Sequence, residues 1–235
     1  MSDELTRPPA KGRAVVFTVS WQNDGLVLAA ASIVALLGRL VRERVVEPRC
    51  FPCDEEVINP LDRDVVRWHS PSLDTLSSVL EIAALSAPVM SSLREHGLSR
   101  NLLKDLLVCA EVVAVNSAAN IVVKTVAARP VPRVYTPLFP QLQREARGYG
   151  SFYSGHCAHT TGALAANAVM SHLRGRRGIW PWMLLAGGAT LISAARVGAG
   201  RHFYTDVVAG SLAGAAVGAL VPRLHPGIRS DGVDR

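Results

Sequence analysis

Charged side chains are scarce in this chain: Asp, Glu, Lys and Arg together make 19% of 235 residues, against 49% hydrophobic types and a mean hydropathy of +0.22. About a quarter of a typical soluble domain is charged, so an ordinary water-facing enzyme surface is a poor description of it. Aromatic residues are few, and four cysteines are too few to form a disulfide framework in a chain of this size. Cys109 and Cys157 fall in apolar stretches, as small packing residues do. Cys50 and Cys53 form CFPC in a polar stretch, a weak zinc signal alone and a local disulfide if that loop faces an oxidising compartment. Internal repeats, low-complexity tracts and nucleic-acid-binding motifs are all lacking. The net charge of +6 and pI near 9.5 therefore point to anionic lipid or a phosphorylated substrate as partner, and not to nucleic acid. The N-terminus does not read as a secretory signal, because acidic residues and prolines precede the first long apolar run, which is expected to be a retained helix.

What the chain does have is long apolar runs. Six are marked, at Gly25–Val41, Thr75–Leu93, Leu106–Val123, Cys157–Leu173, Ile179–Ala195 and Phe203–Val221. Each approaches the roughly 20 residues that span a bilayer as a helix. The expected fold is all-α, a six-transmembrane-helix bundle with its active site at one membrane face. A single membrane-embedded domain would cover residues 25–221, with motifs confined to 115–221 and tails at 1–24 and 222–235. Residues 42–74 read as a charged, proline-containing connection, and Ile228–Arg235 as a frayed end. Glu81 and Pro88 weaken the second run, whereas Glu111, Asn116 and Asn120 interrupt the third and should face the bundle interior. Gly210, Gly214 and Gly218 repeat every four residues, a pattern for close helix packing. Six spans place both termini on one side and Lys124, Arg129, His156, Arg196 and His202 at the opposite face. Basic residues divide almost evenly between the two ends, and the Arg174, Arg176, Arg177 cluster tips the orientation toward cytoplasmic termini. The chain is thus expected in a plasma or inner membrane, with an extracytoplasmic site.

Two stretches carry the chemistry: AARVGAGRHFYTD, from Ala194 to Asp206, and Tyr153-Ser154-Gly155-His156. Histidines, an arginine and an aspartate at the edges of apolar segments are costly without partners. Asp206 follows His202 by four residues, so on a helix both would share a face and the carboxylate would set the imidazole tautomer. This is the composition of a site that binds phosphate and attacks it with histidine. A lone histidine in an apolar segment is more often a structural hydrogen bonder, and two ordered blocks are what favour chemistry here. His156 and His159 alone would be half of a metal site, yet no third ligand or carboxylate cluster is apparent in the sequence. Arg201 reads as a loop cap or a headgroup contact, and Phe152, Tyr153 and Tyr204 as interfacial aromatics.

The third block, Arg196-VGAGR-His202-FYT-Asp206, closely resembles the last motif of the phosphatidic acid phosphatase type 2 superfamily. Tyr153-Ser154-Gly155-His156 resembles its Pro-Ser-Gly-His block, with Tyr for Pro, and Lys124 with Arg129-Pro130 resembles its first. That first block departs from the pattern: the second basic position falls on Val131, leaving Arg129 or Arg133 to fill it. The resemblance implies hydrolysis of a lipid-linked phosphate monoester or diphosphate, without cofactor or metal. Candidate substrates are phosphatidic acid, phosphatidylglycerophosphate and polyprenyl phosphates or diphosphates. It also implies roles: His202 as the nucleophile forming a phosphohistidine, Asp206 as its orienting carboxylate, and His156 as general acid and then base. Lys124, Arg129, Arg196, Ser154 and Gly155 would bind the phosphate. A non-catalytic lipid-phosphate binder is the alternative, and a vanadate-dependent haloperoxidase a more remote one.

Overall fold

A computed structural model describes residues 15–225 and 227–229 of the chain. All six apolar runs are helices: α1 (Trp21–Val45), α2 (Pro71–His96), α3 (Arg100–Ala127), α4 (Gly155–Leu173), α5 (Trp180–Gly198) and α6 (Tyr204–Leu224). Serine starts the first three. Ser20, Ser70 and Ser99 accept from the backbone N–H three residues on, which satisfies a donor the helix leaves orphaned. Pro71 at the first position of α2 costs nothing there, and Gly97, with φ of 59°, ends that helix.

Among the described residues four helices, α1, α2, α3 and α6, are long and apolar enough to cross a membrane. Leu26, Leu36, Leu40, Ile82, Val126, Leu212 and Leu220 lie exposed along them, an apolar exterior suited to lipid. The two 19-residue helices fall outside this set. α4 touches α2, α3, α5 and α6 and is buried along nearly all its length, so it needs no lipid-facing surface. α5 exposes Trp180, Met183, Leu184 and Leu191.

The glycine ridge of α6 lies directly on the α4 backbone. A Cβ at Gly210 would stand 2.5 Å from the Ser154 carbonyl oxygen, while at Gly214 and Gly218 it would land on the carbonyls of Ala158 and Gly162. These contacts recur once per turn on both helices and set the α4–α6 separation. Glu111, Asn116 and Asn120 are buried, as their interior placement requires.

The tails differ from the sequence expectation. Val15–Phe17 (β1) pairs antiparallel with Gly227–Arg229 (β2), joining the segments that precede α1 and follow α6. Phe17 anchors the ribbon by full burial against Val108, Val112, Ala166, Met170 and Val221. Residues 1–14 and 230–235 of the expected tails lie outside the described residues.

Gly214→Ala should lower the thermal midpoint in detergent, costing roughly 1–3 kcal/mol as overpacking against rigid backbone. Gly187→Ala, where a Cβ meets nothing within 4 Å, should be neutral or slightly stabilising in the same assay.

Candidate functional site

One face of α2, a helix without any motif residue, anchors much of the site. Asp74, Ser77 and Glu81 are spaced i, i+3, i+7 and so form a single stripe. Arg196, on the last turn of α5, donates from Nη1 to Asp74 Oδ1 at 2.9 Å and to Ser77 Oγ at 3.0 Å. Arg201 binds the same carboxylate at 2.9 and 2.5 Å, which is its role in place of a loop cap. Arg133 approaches Asp74 to 3.6 Å while donating to the Ala199 carbonyl at 2.8 Å. Glu81 stands between His156 and His159 of α4, 3.3 Å from His156 Nε2 and 2.8 Å from His159 Nδ1. Glu81 thus gives both rings an acidic partner. Ser117 completes the His159 ring at 3.0 Å.

Asp206 and His202 do not meet in the way their spacing suggested. α6 begins at Tyr204, so His202 lies before the helix and the shared-face argument does not apply. Asp206 turns back to accept from the Phe203 N–H at 2.9 Å and from the Ser151 hydroxyl, and stands 3.8 Å from His202 Nδ1. His202 Nδ1 instead donates to the Ser151 carbonyl at 2.8 Å. A carbonyl can only accept, so the proton sits on Nδ1 and the lone pair on Nε2. Ser151 thus touches both groups, its hydroxyl on Asp206 and its carbonyl on His202. Burial above all, reinforced by Lys124 and Arg196 and only partly offset by Asp206, pulls the His202 pKa down to about 3. The ring is neutral above that pH.

Arg129 is committed to structure. It donates to Asp206 Oδ1 at 2.6 Å, Thr205 Oγ1 at 2.7 Å and Asp62 Oδ2 at 2.8 Å, and stacks 4.2 Å over the Phe203 ring. Asp62, in the connection between α1 and α2, also accepts from the Thr205 N–H at 3.2 Å and hydroxyl at 2.5 Å. Burial would raise the Asp62 carboxyl, but hydrogen bonds from Arg129, Thr205 and Asn59 outweigh it and hold it below its ordinary value. Two carboxylates bridged by one guanidinium thus close the head of α6.

The other sequence-derived ligands fall nearby. Ser154 caps α4 through the Cys157 N–H at 3.5 Å, and its own N–H donates to the Asp206 carbonyl at 3.1 Å. Gly155 leaves room for Asn120, whose Oδ1 would stand 3.0 Å from a Cβ and whose amide holds the Tyr153 carbonyl. Gly200, with φ of 67°, lets the loop before His202 turn against the Trp68 carbonyl, where a Cβ would collide. Tyr153 is buried, not interfacial. The Lys124 ammonium has no hydrogen bond or ion pair among the described residues, and Lys124 lines a cavity of about 240 Å³ with Arg39, Arg42, Arg147, Asn120 and His159. No acidic residue lines that cavity.

A family model, the PAP2 superfamily, matches residues 105–230, more than half of the chain. The chain belongs to the PAP2 superfamily. PAP2 proteins are phosphatases acting on phosphate esters. No curated protein and no solved structure matches it. The match begins at Asp105, so Arg39, Arg42, Asp62, Asp74 and Glu81 all precede the PAP2 region. Sequence reading missed them as site residues. The i, i+3, i+7 spacing of Asp74, Ser77 and Glu81 on an apolar helix was the available signal. Asp62 and Ser151 offered none.

Arg129→Gln should destabilise this PAP2 chain by about 3 kcal/mol, since it strands two buried carboxylates. Lys124→Gln should leave the thermal midpoint unchanged or higher while lowering phosphate release, because it removes an unpaired ammonium. Thermal unfolding beside a phosphate assay separates the two.

Proposed function

We propose that the protein is a membrane-embedded phosphatase of lipid-linked phosphate esters that works through a phosphohistidine on His202. The observation that carries this is the Nδ1–H···O=C bond to Ser151, which leaves His202 Nε2 a free lone pair at neutral pH. Around it stands a surplus of positive charge. Arg133, Arg196 and Arg201 share the single carboxylate of Asp74, and the Nε atoms of Arg133 and Arg196 are buried without hydrogen-bond partners among the described residues. A phosphoryl group supplies the missing acceptors and the missing negative charge. The N-terminus of the 19-residue α4, at Gly155, adds its dipole in the same sense.

In this reading His202 Nε2 bonds to phosphorus as the ester oxygen departs, and His156 gives that oxygen a proton. His156 then takes a proton from water, whose hydroxide cleaves the P–N bond and releases inorganic phosphate. Glu81 holds the His156 ring for both steps.

A lipid-linked substrate is supported by an apolar groove of about 440 Å³ among α2, α4 and α5. It starts at Thr160, one turn along α4 from His156, and continues past Leu80, Leu164, Leu191 and Trp180. The cationic cavity beside Lys124 suits the second phosphate of a diphosphate headgroup. The Cys50–Cys53 disulfide lies in the α1–α2 connection, at the same end as the site, which favours an oxidising, extracytoplasmic face for both. Arg174, Arg176 and Arg177 at the other end agree with a cytoplasmic side there.

Detergent-solubilised protein should release phosphate from phosphatidic acid or a polyprenyl diphosphate, and His202→Ala should reduce the rate at least about a thousandfold. Labelled substrate should leave acid-labile phosphate on the wild-type protein and none on His202→Ala. Absence of release from every such substrate would refute the reading. Within it, Arg39→Gln with Arg42→Gln should raise KM about tenfold for a diphosphate and little for a monophosphate of equal tail length.

A further inference from the structure

Opposite the phosphatase site, three residues far apart in sequence converge: Asp24 on the first turn of α1, Glu111 on α3, and His225 just after α6. One ligand atom from each lies within 4.8 Å of the other two. His225 Nδ1 donates to the Val221 carbonyl at 2.9 Å, so a neutral ring directs its Nε2 lone pair at the carboxylates. Glu111 Oε2 stands 3.4 Å and Asp24 Oδ2 3.6 Å from that nitrogen. Both separations exceed the usual N–H···O range. They match ligand atoms around a tetrahedral cation, which stand about 3.4 Å apart when each is about 2.1 Å from the metal.

Burial makes an empty cluster costly. Glu111 is 4% exposed and His225 6%, and the buried Glu111 Oε1 has no hydrogen-bond partner among the described residues. A proton on His225 leaves one net negative charge in this apolar setting, whereas a divalent cation neutralises both carboxylates. The surroundings already supply supporting contacts: the Val221 carbonyl fixes the ring, and the Ser20 N–H donates to Asp24 Oδ2 at 2.7 Å.

We propose that Asp24, Glu111 and His225 form a binding site for a divalent transition-metal ion that ties α1, α3 and α6 together at the end opposite the phosphatase site. One imidazole and two carboxylates suit Zn²⁺ or Mn²⁺ better than the oxygen-seeking Mg²⁺ and Ca²⁺. A solvent molecule would complete four-fold coordination. The ion's role is structural: binding only the folded bundle, it raises stability by mass action.

The test uses untagged full-length protein in detergent, stripped with EDTA and titrated with ZnCl₂ by calorimetry. One equivalent of zinc should bind, and the thermal midpoint should rise and return on adding EDTA. Glu111→Gln should weaken zinc at least a hundredfold and abolish the zinc-dependent rise while keeping the wild-type helical dichroism. Asp24→Asn, at the rim, provides a second variant should Glu111→Gln misfold, with the same loss expected. A wild-type protein that binds neither Zn²⁺ nor Mn²⁺ overturns the proposal. So does equal zinc affinity in wild type, Glu111→Gln and Asp24→Asn.

Discussion

Asp206 carries no exposed surface, yet three different segments of chain converge on its carboxylate. It caps the head of α6 through Phe203, takes the Ser151 hydroxyl from the loop before α4, and binds Arg129 from the segment after α3. An ionised carboxylate in such surroundings survives only if each lone pair has a donor. Satisfying it therefore fixes where the three segments lie relative to one another. Ser151 is the consequential member, because its hydroxyl serves Asp206 while its carbonyl fixes the proton of His202. A constraint that begins as charge burial ends as a choice of tautomer.

Helix packing delivers the segments to that meeting point. α6 lies against α4 through bare glycine, which keeps Ser154 within hydrogen-bond reach of the Asp206 carbonyl. α2 approaches α4 and α5 with its polar stripe inward, so Glu81 takes the histidines while Asp74 and Ser77 take Arg196. Glu81 and Asp74 would be expensive on a lipid-facing helix surface. Their pairing with the site's cations makes α2 part of the machinery, although it lies before the region that defines the family.

The helices were legible because apolar length is a strong signal, and all six runs fold as helices whose ends lie within a few residues of their marked bounds. The glycine repeat was legible for a similar reason, since its four-residue spacing has one dominant use. Local pairings were less so. The four-residue step from His202 to Asp206 suggested direct contact, but Phe203 caps the helix and places His202 outside it. Arg129 was a candidate for the basic position that falls on Val131, yet two carboxylates claim it, one of them Asp62, 67 residues earlier. Asp24, Glu111 and His225 are about as far apart in sequence as this chain allows. No local pattern links them, and only the return of α6 beside α1 and α3 brings them together.

Arg129 and Arg196 invite the same role on sequence grounds, and their surroundings separate them. Arg129 meets two carboxylates that carry no exposed surface, so its charge is more than cancelled and little remains for a substrate. Arg196 shares one carboxylate with Arg133 and Arg201, and that cluster retains excess positive charge. Lys124, with no acidic partner among the described residues, adds to it from α3. The proposed phosphate site is therefore marked by a deficit of carboxylates around one set of cations, while the neighbouring Arg129 is matched by two. Arg133, and not Arg129, lies in the unmatched set. In the proposed reading, the departure at Val131 leaves Arg133, two residues along the chain, as the second basic group on the phosphate.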